Sequence, residues 1–229
     1  LSKPIDKFAS QVYSSDQQLI GTWNADNNNR VAIDYNGLSP HLVHALVATE
    51  DERFYEHSGV DFIALGRAVV KRGVMGQASA GGGSTITQQL AKQLFSEKAH
   101  STVERLLQKP IEWIIAVKLE RYFTKEEILA MYFNYFDFLH NAVGIKRAAN
   151  VYFNKEPRKL TVTESAMLVG LCKNPSMFNP LRHPERCLQR RNVVLMQMVK
   201  SGYVTKDEYK ELSQRPLGLH FTKSKPVSG

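Results

Sequence analysis

The fold is predicted first from a glycine-rich stretch that opens a helix, Gly81-Gly82-Gly83-Ser84-Thr85-Ile86-Thr87-Gln88-Gln89. Consecutive glycines let a backbone approach a ligand closely, and Thr85 followed three residues later by Gln88 is a capping pattern that starts a helix. We therefore predict a helix over residues 86–95. Its first N–H groups would form an anion site, to which Lys92 would add charge. The alternative is a flexible glycine linker before an ordinary helix.

Carboxylates lie on both sides of this stretch, at Glu50 and Glu112. Apolar residues at Leu42 and Leu46 recur at helical spacing, and the next position in that series is Glu50, where the period demands an apolar side chain. A partly desolvated carboxylate at such a position is suited to general acid or base work. The alternative is a glutamate at a helix end that faces solvent or pairs with Arg53.

Glu112 lies in a helical stretch together with Arg105 and Lys109, each about one turn from the next. These groups would bind phosphate directly, or Glu112 would hold a divalent ion, Mg²⁺ or Mn²⁺, against phosphate. The alternative is an exposed ladder of salt bridges. Pro110 must either start this helix or kink it. The apolar face predicted beside Glu112 consists of Leu107, Ile111, Ile114 and Ile115, continued by Lys118.

The composition is that of an ordinary globular protein with a preference for anionic partners. The 229 residues are 43% hydrophobic and 23% charged, and the net charge is +8. An excess of cations favours anionic lipid or a phosphorylated substrate, and because no nucleic-acid-binding motif is present we expect no nucleic acid partner.

Cys172 and Cys187 are predicted to be buried thiols rather than a disulfide. No stretch approaches the ~20 apolar residues that span a bilayer.

Cap and period patterns predict a mainly α chain with a different beginning. Residues 1–38 are turn-rich, with β-prone runs at 19–20 and 31–33, and we expect a short extended or hairpin lead-in. Residues 39–213 form the predicted helical domain and residues 214–229 a linker. Predicted helix starts are Ser39-Pro40, Thr124, Thr161, Pro184 and Thr205.

In this order the motifs resemble those of the peptidoglycan glycosyltransferases (glycosyltransferase family 51), which form a domain of class A penicillin-binding proteins. The resemblance spans about residues 38–199. Its motifs are residues 50–61 (EDERFYEHSGVD), 83–92 (GSTITQQLAK), 108–112 (QKPIE), 128–134 (ILAMYFN) with 148–153 (AANVYF), and 164–168 (ESAML) with the Asn-Pro pairs at 174–175 and 179–180.

This resemblance implies a lysozyme-like, two-lobed helical fold, with a head and a membrane-associated jaw around a cleft. It also implies polymerisation of lipid II into β-1,4-linked glycan strands, with inversion and release of undecaprenyl pyrophosphate. Glu50 would be the base, and Glu112 would help the leaving pyrophosphate through a proton, a metal ion or orientation of the cations. No organic cofactor is implied. The substrate-binding residues implied are Asp51, Arg53, Ser84, Thr85, Gln88, Gln89, Lys92, Arg105 and Lys109.

The chain departs from the family pattern in its third and fourth motifs, and Pro110 within the third is also uncommon. Gln108 stands where arginine is usual, and Arg105, one turn earlier, would supply the charge. Leu139-His140 stands where a glycine is frequent, so we expect a different local turn. Neither departure removes a proposed catalytic carboxylate.

Residues 61–77 mix apolar side chains with Arg67, Lys71 and Arg72, which fits a jaw that enters the membrane interface. The alternative is an amphipathic helix packed in the core. The lead-in resembles the segment after the membrane anchor of class A penicillin-binding proteins, and no Ser-x-x-Lys set of a transpeptidase is present. We therefore expect a piece of an anchored bifunctional enzyme that acts on the outer face of the bacterial inner membrane, or a monofunctional transferase.

Two other functions compete with this interpretation. A lysozyme-like enzyme that cleaves the same polymer has an uncharged leaving group and does not need Arg53, Lys92 and Lys109 around an anion. A non-catalytic scaffold that binds lipid II would not need both Glu50 and Glu112.

Overall fold

A computed structural model of the chain describes residues 10–13, 19–23, 32–75, 83–95 and 102–222. For residues 10–13, 19–23, 71–75 and 102–107 the description covers the backbone alone. Contacts divide the chain into two compact units, Leu1–Val31 and Ala32–Gly229. The helical unit therefore begins earlier than the predicted boundary at residue 39.

The N-terminal unit contains a two-stranded antiparallel sheet. Strand β1 (Ser10–Tyr13) pairs with strand β2 (Leu19–Trp23), with Ser10 opposite Trp23 and an irregularity between Val12 and Tyr13. Strand β2 confirms the predicted short extended lead-in. Of the second β-prone run, residue 31 lies outside the described residues, and residues 32 and 33 are not in a strand.

The second unit is built from helices. They are α1 (Pro40–Glu50), α2 (Phe62–Met75), α3 (Ile86–Phe95), α4 (Thr102–Tyr122), α5 (Lys125–Tyr135), α6 (Ile145–Phe153), α7 (Val162–Lys173), α8 (Pro184–Lys200) and α9 (Lys206–Gln214). Short 3₁₀ turns lie at Tyr35–Gly37 and Pro157–Lys159. The mainly α fold class is thus confirmed.

The predicted helix starts are confirmed, four of them by their caps and the fifth because α8 begins at Pro184. Ser39 accepts a hydrogen bond from the backbone N–H of His41, with Pro40 in the first turn. Thr124, Thr161 and Thr205 each form a reciprocal capping box with the glutamate three residues later. Such caps satisfy N–H groups that the helix itself leaves unpaired.

Helix α7 is the centre of the packing because it is buried along most of its length, from Glu164 to Cys172. Helices α1 and α8 pack against α7 and against each other, while α3 packs on α4 and α5. Cys172 and Cys187 are buried free thiols, as the sequence predicts.

Helix α4 decides between the two positions predicted for Pro110 and corrects the predicted apolar face. It runs through Pro110 and begins at Thr102, so the proline does not start it. Among its described side chains, Glu112, Ala116 and Leu119 are buried, whereas Ile111 and Ile114 are 56% and 58% exposed. Of the predicted apolar face, Ile115 is half-buried, and the side chain of Leu107 lies outside the described residues. The described part of this face therefore points largely to solvent.

The turn at Leu139, His140 and Asn141 explains how the chain replaces the expected glycine. All three have positive φ values, 67°, 52° and 60°, a conformation that costs roughly 1–2 kcal/mol for most residues. The N–H of Leu139 donates to Asp137 Oδ1, and the Tyr152 hydroxyl donates to the Phe138 carbonyl at 2.6 Å. These bonds hold the turn without glycine.

The segment after α9 is bound to the helical unit, in contrast to the predicted linker from residue 214. The buried guanidinium of Arg191 donates to the carbonyls of Leu212, Ser213 and Pro216. Further on, the N–H of His220 donates to the Tyr152 carbonyl at 2.8 Å.

Gly59 permits the loop after α1 to pass directly against α4. Its φ is +97°, and a Cβ there would lie 2.8 Å from the backbone C and O of Ala116. Only glycine combines this conformation with this approach.

We predict that Gly59→Ala destabilises the chain by about 3 kcal/mol or more, because backbone must move in addition to the strained φ. The matched control is Gly66→Ala on α2, where an added Cβ meets nothing within 4 Å. That change should stabilise by about 0.5–1 kcal/mol. Denaturant unfolding of both variants checks the prediction, and equal free energies of unfolding would contradict it.

Candidate active site

A cavity of about 360 Å³ opens where α1 ends. Its walls come from the end of α1, the following loop, α2, the start of α3 and one residue of α8. Its charged lining residues are Glu50, Asp51, Glu52, Arg53, Asp61 and Arg67, and its polar ones include Ser84, Thr85, Gln89 and Gln197. Carboxylates and guanidinium groups thus share one concave site.

Glu50, the last residue of α1, has its carboxylate in this cavity, and the side chain is 17% exposed. The Gln89 amide donates to Glu50 Oε2 at 3.0 Å, and the Tyr132 hydroxyl donates to Gln89 Oε1 at 3.1 Å. Because Tyr132 occupies the amide oxygen, Gln89 must present its NH₂ group to Glu50. On the other side, Arg190 Nη2 lies 3.6 Å from Glu50 Oε1.

Tyr132 and Cys172, which pack behind Glu50, are held in their neutral forms. Burial raises the pKa of Tyr132 well above its ordinary value, and the negative charge of Glu50 adds to this. Burial and the Glu50 carboxylate likewise raise the pKa of the Cys172 thiol. Burial lowers the pKa of Arg190, and the Glu50 carboxylate acts against that change. Arg190 is therefore the charged partner of Glu50 among these groups.

Asp51 joins the loop after α1 to the start of α3. Its carboxylate accepts from His57 Nε2 at 2.9 Å and from the backbone N–H of Ile86 at 3.0 Å. The N–H of Gly59 donates to His57 Nδ1, which assigns the ring proton to Nε2. The anion predicted at the start of α3 is thus a side chain of this protein, since Asp51 takes the first N–H of that helix.

The predicted cap of α3 is confirmed. The Gln88 N–H donates to Thr85 Oγ1 at 3.1 Å, and the Thr85 N–H donates to Gln88 Oε1 at 3.0 Å. The Thr85 hydroxyl also donates to the Gly59 carbonyl at 2.6 Å. Both Thr85 and Gln88 are buried, so they fix the helix start rather than face the cavity with free polar groups.

A buried polar network fixes α3, α4 and α5 beneath the loop. Glu120 Oε1 accepts from the Thr87 hydroxyl at 2.6 Å and from Lys125 Nζ at 2.8 Å. The same ammonium donates to the His57 carbonyl at 2.7 Å and lies 4.3 Å from the Phe54 ring centroid. Each polar group in this network has a partner, as burial requires.

Arg53, in the loop after α1, is held by the carboxylates of Glu56 and Asp61. Its Nε donates to Asp61 Oδ2 at 3.1 Å, and its Nη2 lies 3.2 Å from Glu56. Burial alone would raise the pKa of Asp61, but hydrogen bonds from the N–H groups of Ala64 and Ile63 and the charge of Arg53 outweigh it and lower that pKa. The pairing predicted as an alternative for Glu50 thus belongs to Asp61.

Glu112 is buried on α4 and paired with Lys109, whose Nζ lies 2.8 Å from Glu112 Oε2 and 3.5 Å from the Ser84 hydroxyl. Ser84 is part of the cavity wall, so the pair adjoins the site. The ammonium already occupies an oxygen that a divalent ion would use. Among the described residues, no group of three His, Cys, Asp or Glu side chains forms a metal site. A divalent ion at Glu112 would have to displace Lys109 from this oxygen, and the predicted Mg²⁺ or Mn²⁺ stays a prediction.

Comparison with known proteins places the chain in a family. The family model described as Transglycosylase matches residues 16–199. The chain belongs to the transglycosylase family. Penicillin-binding protein 1A of Aquifex aeolicus is 42% identical over 91% of this chain and 28% of that protein. Penicillin-binding protein 1F of Bacillus subtilis is 42% identical over 85% of this chain and 27% of that protein.

A solved structure shows the same fold. The crystal structure of penicillin-binding protein 1A from Haemophilus influenzae matches with a TM-score of 0.50 and 24% identity, over 93% of this chain and 21% of that one. This transglycosylase domain spans about a quarter of the length of the curated relatives it matches.

The transglycosylase cavity brings together only part of the predicted set. Glu50, Asp51, Arg53, Ser84, Thr85 and Gln89 line it. Lys109 and Glu112 adjoin it through Ser84. Lys92 is exposed and outside the lining, and the side chain of Arg105 lies outside the described residues. The roles of all these residues stay predictions.

The sequence did not mark Arg190, Tyr132 and Gln197 as site residues, and it placed Arg67 in the membrane-associated segment rather than in this cavity. Tyr132 lies in the motif at 128–134 but no role was assigned to it, and Arg190 lies on α8 outside every motif. A buried tyrosine or arginine has no period of its own, so no pattern in one sequence marks them. Adjacent arginines at 190 and 191, on a helix with an apolar face, were the available indication.

We predict that Asp61→Asn lowers the free energy of unfolding by about 1 kcal/mol at pH 7. The pKa of Asp61 is lower in the folded chain than its ordinary value of 3.8, so the charged carboxylate stabilises the fold at pH values above 3.8. That stabilisation is lost as the pH falls below 3.8 and the folded carboxylate becomes protonated. The difference between variant and wild type should therefore shrink below about pH 4. Unfolding at pH 7 and pH 3 checks this, and a difference independent of pH would contradict it.

Proposed function

We propose that this domain is a peptidoglycan glycosyltransferase that joins lipid II units into glycan strands. The observation that carries the proposal is the cavity itself, where the half-buried carboxylate of Glu50 and the cationic residues Arg53 and Arg67 line one concave site. A base together with cations at one site suits transfer of a sugar from a pyrophosphate. Family membership supports the same reaction.

On the acceptor side, Glu50 takes the proton from the 4-hydroxyl of an N-acetylglucosamine. That oxygen attacks the anomeric carbon of the N-acetylmuramic acid of the donor from the face opposite the pyrophosphate, so the configuration inverts. The hydrogen bond from Gln89 to Oε2 leaves Oε1 for the proton. General base catalysis of this kind typically contributes about 10²–10⁴-fold.

On the donor side, the bond between the anomeric carbon and the phosphate oxygen breaks, and undecaprenyl pyrophosphate leaves. Arg53, Arg67 and Lys109 stabilise the negative charge that develops on the leaving group. Glu112 acts by orienting Lys109 towards Ser84, at the rim of the cavity. Of the roles that the resemblance allows for Glu112, orientation of the cation is the one that this ion pair supports, and no step runs through a metal ion.

The competing functions fit the same geometry less well. A glycan hydrolase needs a carboxylic acid beside a neutral leaving group, yet Glu112 is held against an ammonium at 2.8 Å. A binding scaffold does not require a carboxylate whose oxygens are individually oriented, as those of Glu50 are.

The proposed membrane-facing surface consists of exposed apolar side chains on α2 and α4. Four apolar side chains on α2 are 55–70% exposed, namely Phe62, Ile63, Val69 and Val70. On α4, Ile111 and Ile114 are 56% and 58% exposed. Phe62 and Trp113 make an edge contact that joins the two helices. Apolar side chains with Arg67 among them favour an anionic interface. In the described part of the chain, no helix has both the length and the hydrophobicity to cross a bilayer.

We propose that the domain works at the outer face of the bacterial inner membrane within a longer penicillin-binding protein. The relatives it matches are several times longer. A transpeptidase domain and a membrane anchor elsewhere in the parent protein would place glycan polymerisation next to cross-linking.

We expect wild type to polymerise labelled lipid II in detergent, and Glu50→Gln and Glu112→Gln to lose about 100-fold or more of the rate. Product size on a gel measures this. The control is Glu185→Gln, an exposed glutamate of α8. Shortening of preformed strands, with lipid II unchanged, would instead support the hydrolase; binding without either activity would support the scaffold.

We predict that Ile63→Ser combined with Ile114→Ser weakens binding to vesicles of phosphatidylglycerol by about 10-fold or more, because apolar area leaves the interface. Sedimentation with the vesicles measures the partition. Met177→Ser combined with Val193→Ser is the control, since these side chains are similarly exposed, at 47% and 44%. Equal losses in both pairs would contradict the assigned surface.

A further inference from the structure

We propose that Arg190 is a positioning residue for the base, which keeps the Glu50 carboxylate charged with Oε1 directed to the acceptor hydroxyl. This inference rests on the proposed function and adds to it a residue of α8 that the sequence motifs did not single out.

The two oxygens of Glu50 have different surroundings. Oε2 accepts a hydrogen bond of 3.0 Å from Gln89. Oε1 lies 3.6 Å from Arg190 Nη2, which is an ion pair but is too long for a hydrogen bond. No described residue donates a hydrogen bond to Oε1, so its lone pairs are open to an incoming proton.

Arg190 is held in place from several directions. Its Cγ lies 3.1 Å from the point where a Cβ on Gly170 would be, so the absence of a side chain there lets the arginine stem pass α7. Its Cζ lies 5.8 Å from the ring centroid of Phe178. The side chain is only 11% exposed, and its fixed course leaves the guanidinium at Glu50.

Arg190 and Glu50 depend on each other because both are largely removed from water. Arg190 Nε is buried and has no hydrogen-bond partner among the described residues. A buried guanidinium loses hydration, and only a nearby negative charge offsets that loss. Burial lowers the pKa of Arg190 and Glu50 opposes the change, which agrees with this dependence.

The other ionisable groups near Glu50 do not replace Arg190. Tyr132 of α5 and Cys172 of α7 are neutral, because their pKa values are raised. In the loop and α2, Asp51 is bonded to His57, and Arg53 is paired with Asp61 and Glu56. Glu52 and Arg67 complete the charged lining of the cavity.

The ion pair has a consequence for repeated transfer. When Glu50 takes the acceptor proton, Arg190 loses its counter-charge in a buried position. Return of the proton to solvent restores the ion pair. A polymerase must restore its base in this way after every bond.

The test is the pH profile of kcat/KM for lipid II polymerisation by wild type, Arg190→Gln and Arg190→Lys. Removing the cation makes protonation of Glu50 easier, so the acid limb for Arg190→Gln should move to higher pH by about one unit or more. At pH values above its acid limb, Arg190→Gln should regain activity, and the acid limb of Arg190→Lys should shift less. Arg186→Gln, an exposed arginine of the same helix, is the control and should overlay wild type.

An unchanged profile for Arg190→Gln, or a loss that is equal at every pH, would overturn the positioning role. If Arg190→Gln does not fold, as judged by circular dichroism, Gly170→Ala replaces it, because its Cβ presses on Arg190 Cγ. That variant should move the acid limb in the same direction, and an unmoved limb would overturn the inference. Absence of polymer from wild type at all pH values would overturn the proposed function as well.

Discussion

The hydrogen bonds to the Asp51 carboxylate are the constraint on which the site depends. They tie the residue after Glu50 to the first N–H of α3 and to His57. Because Gln89 lies one turn into α3, this connection brings its amide to Glu50. Gly59 completes the arrangement by letting the same loop pass against α4, which carries Glu112. Carboxylates far apart in sequence thereby adjoin one cavity.

Much of the helical framework follows from local chemistry, and this part was predictable. Caps at Ser39, Thr124 and Thr161 depend on neighbouring residues only, so their sequence patterns translate directly into helix starts. The helix after Thr85 is predictable for the same reason. Glu50 was also recognisable from the sequence, because it stands where the helical spacing of Leu42 and Leu46 calls for an apolar residue.

The remaining features depend on contacts between distant segments, which a single sequence does not reveal. The anion at the start of α3 is Asp51 from another element. The exposed apolar face of α4 looks like a core face in sequence, because apolar residues at helical spacing have the same pattern whether that face is buried or exposed. Arg190 reaches Glu50 only because α8 packs near α1 and Gly170 leaves room for its stem. Such placements are properties of tertiary packing.

The chemistry proposed for this cavity is sugar transfer at Glu50 with departure of a lipid pyrophosphate. The most direct test measures undecaprenyl pyrophosphate released from lipid II alongside the number of glycosidic bonds formed by the same sample. We predict one pyrophosphate released for each new β-linked bond, with both stopping in Glu50→Gln. Release of the pyrophosphate without bond formation, or bond cleavage without release, would contradict it.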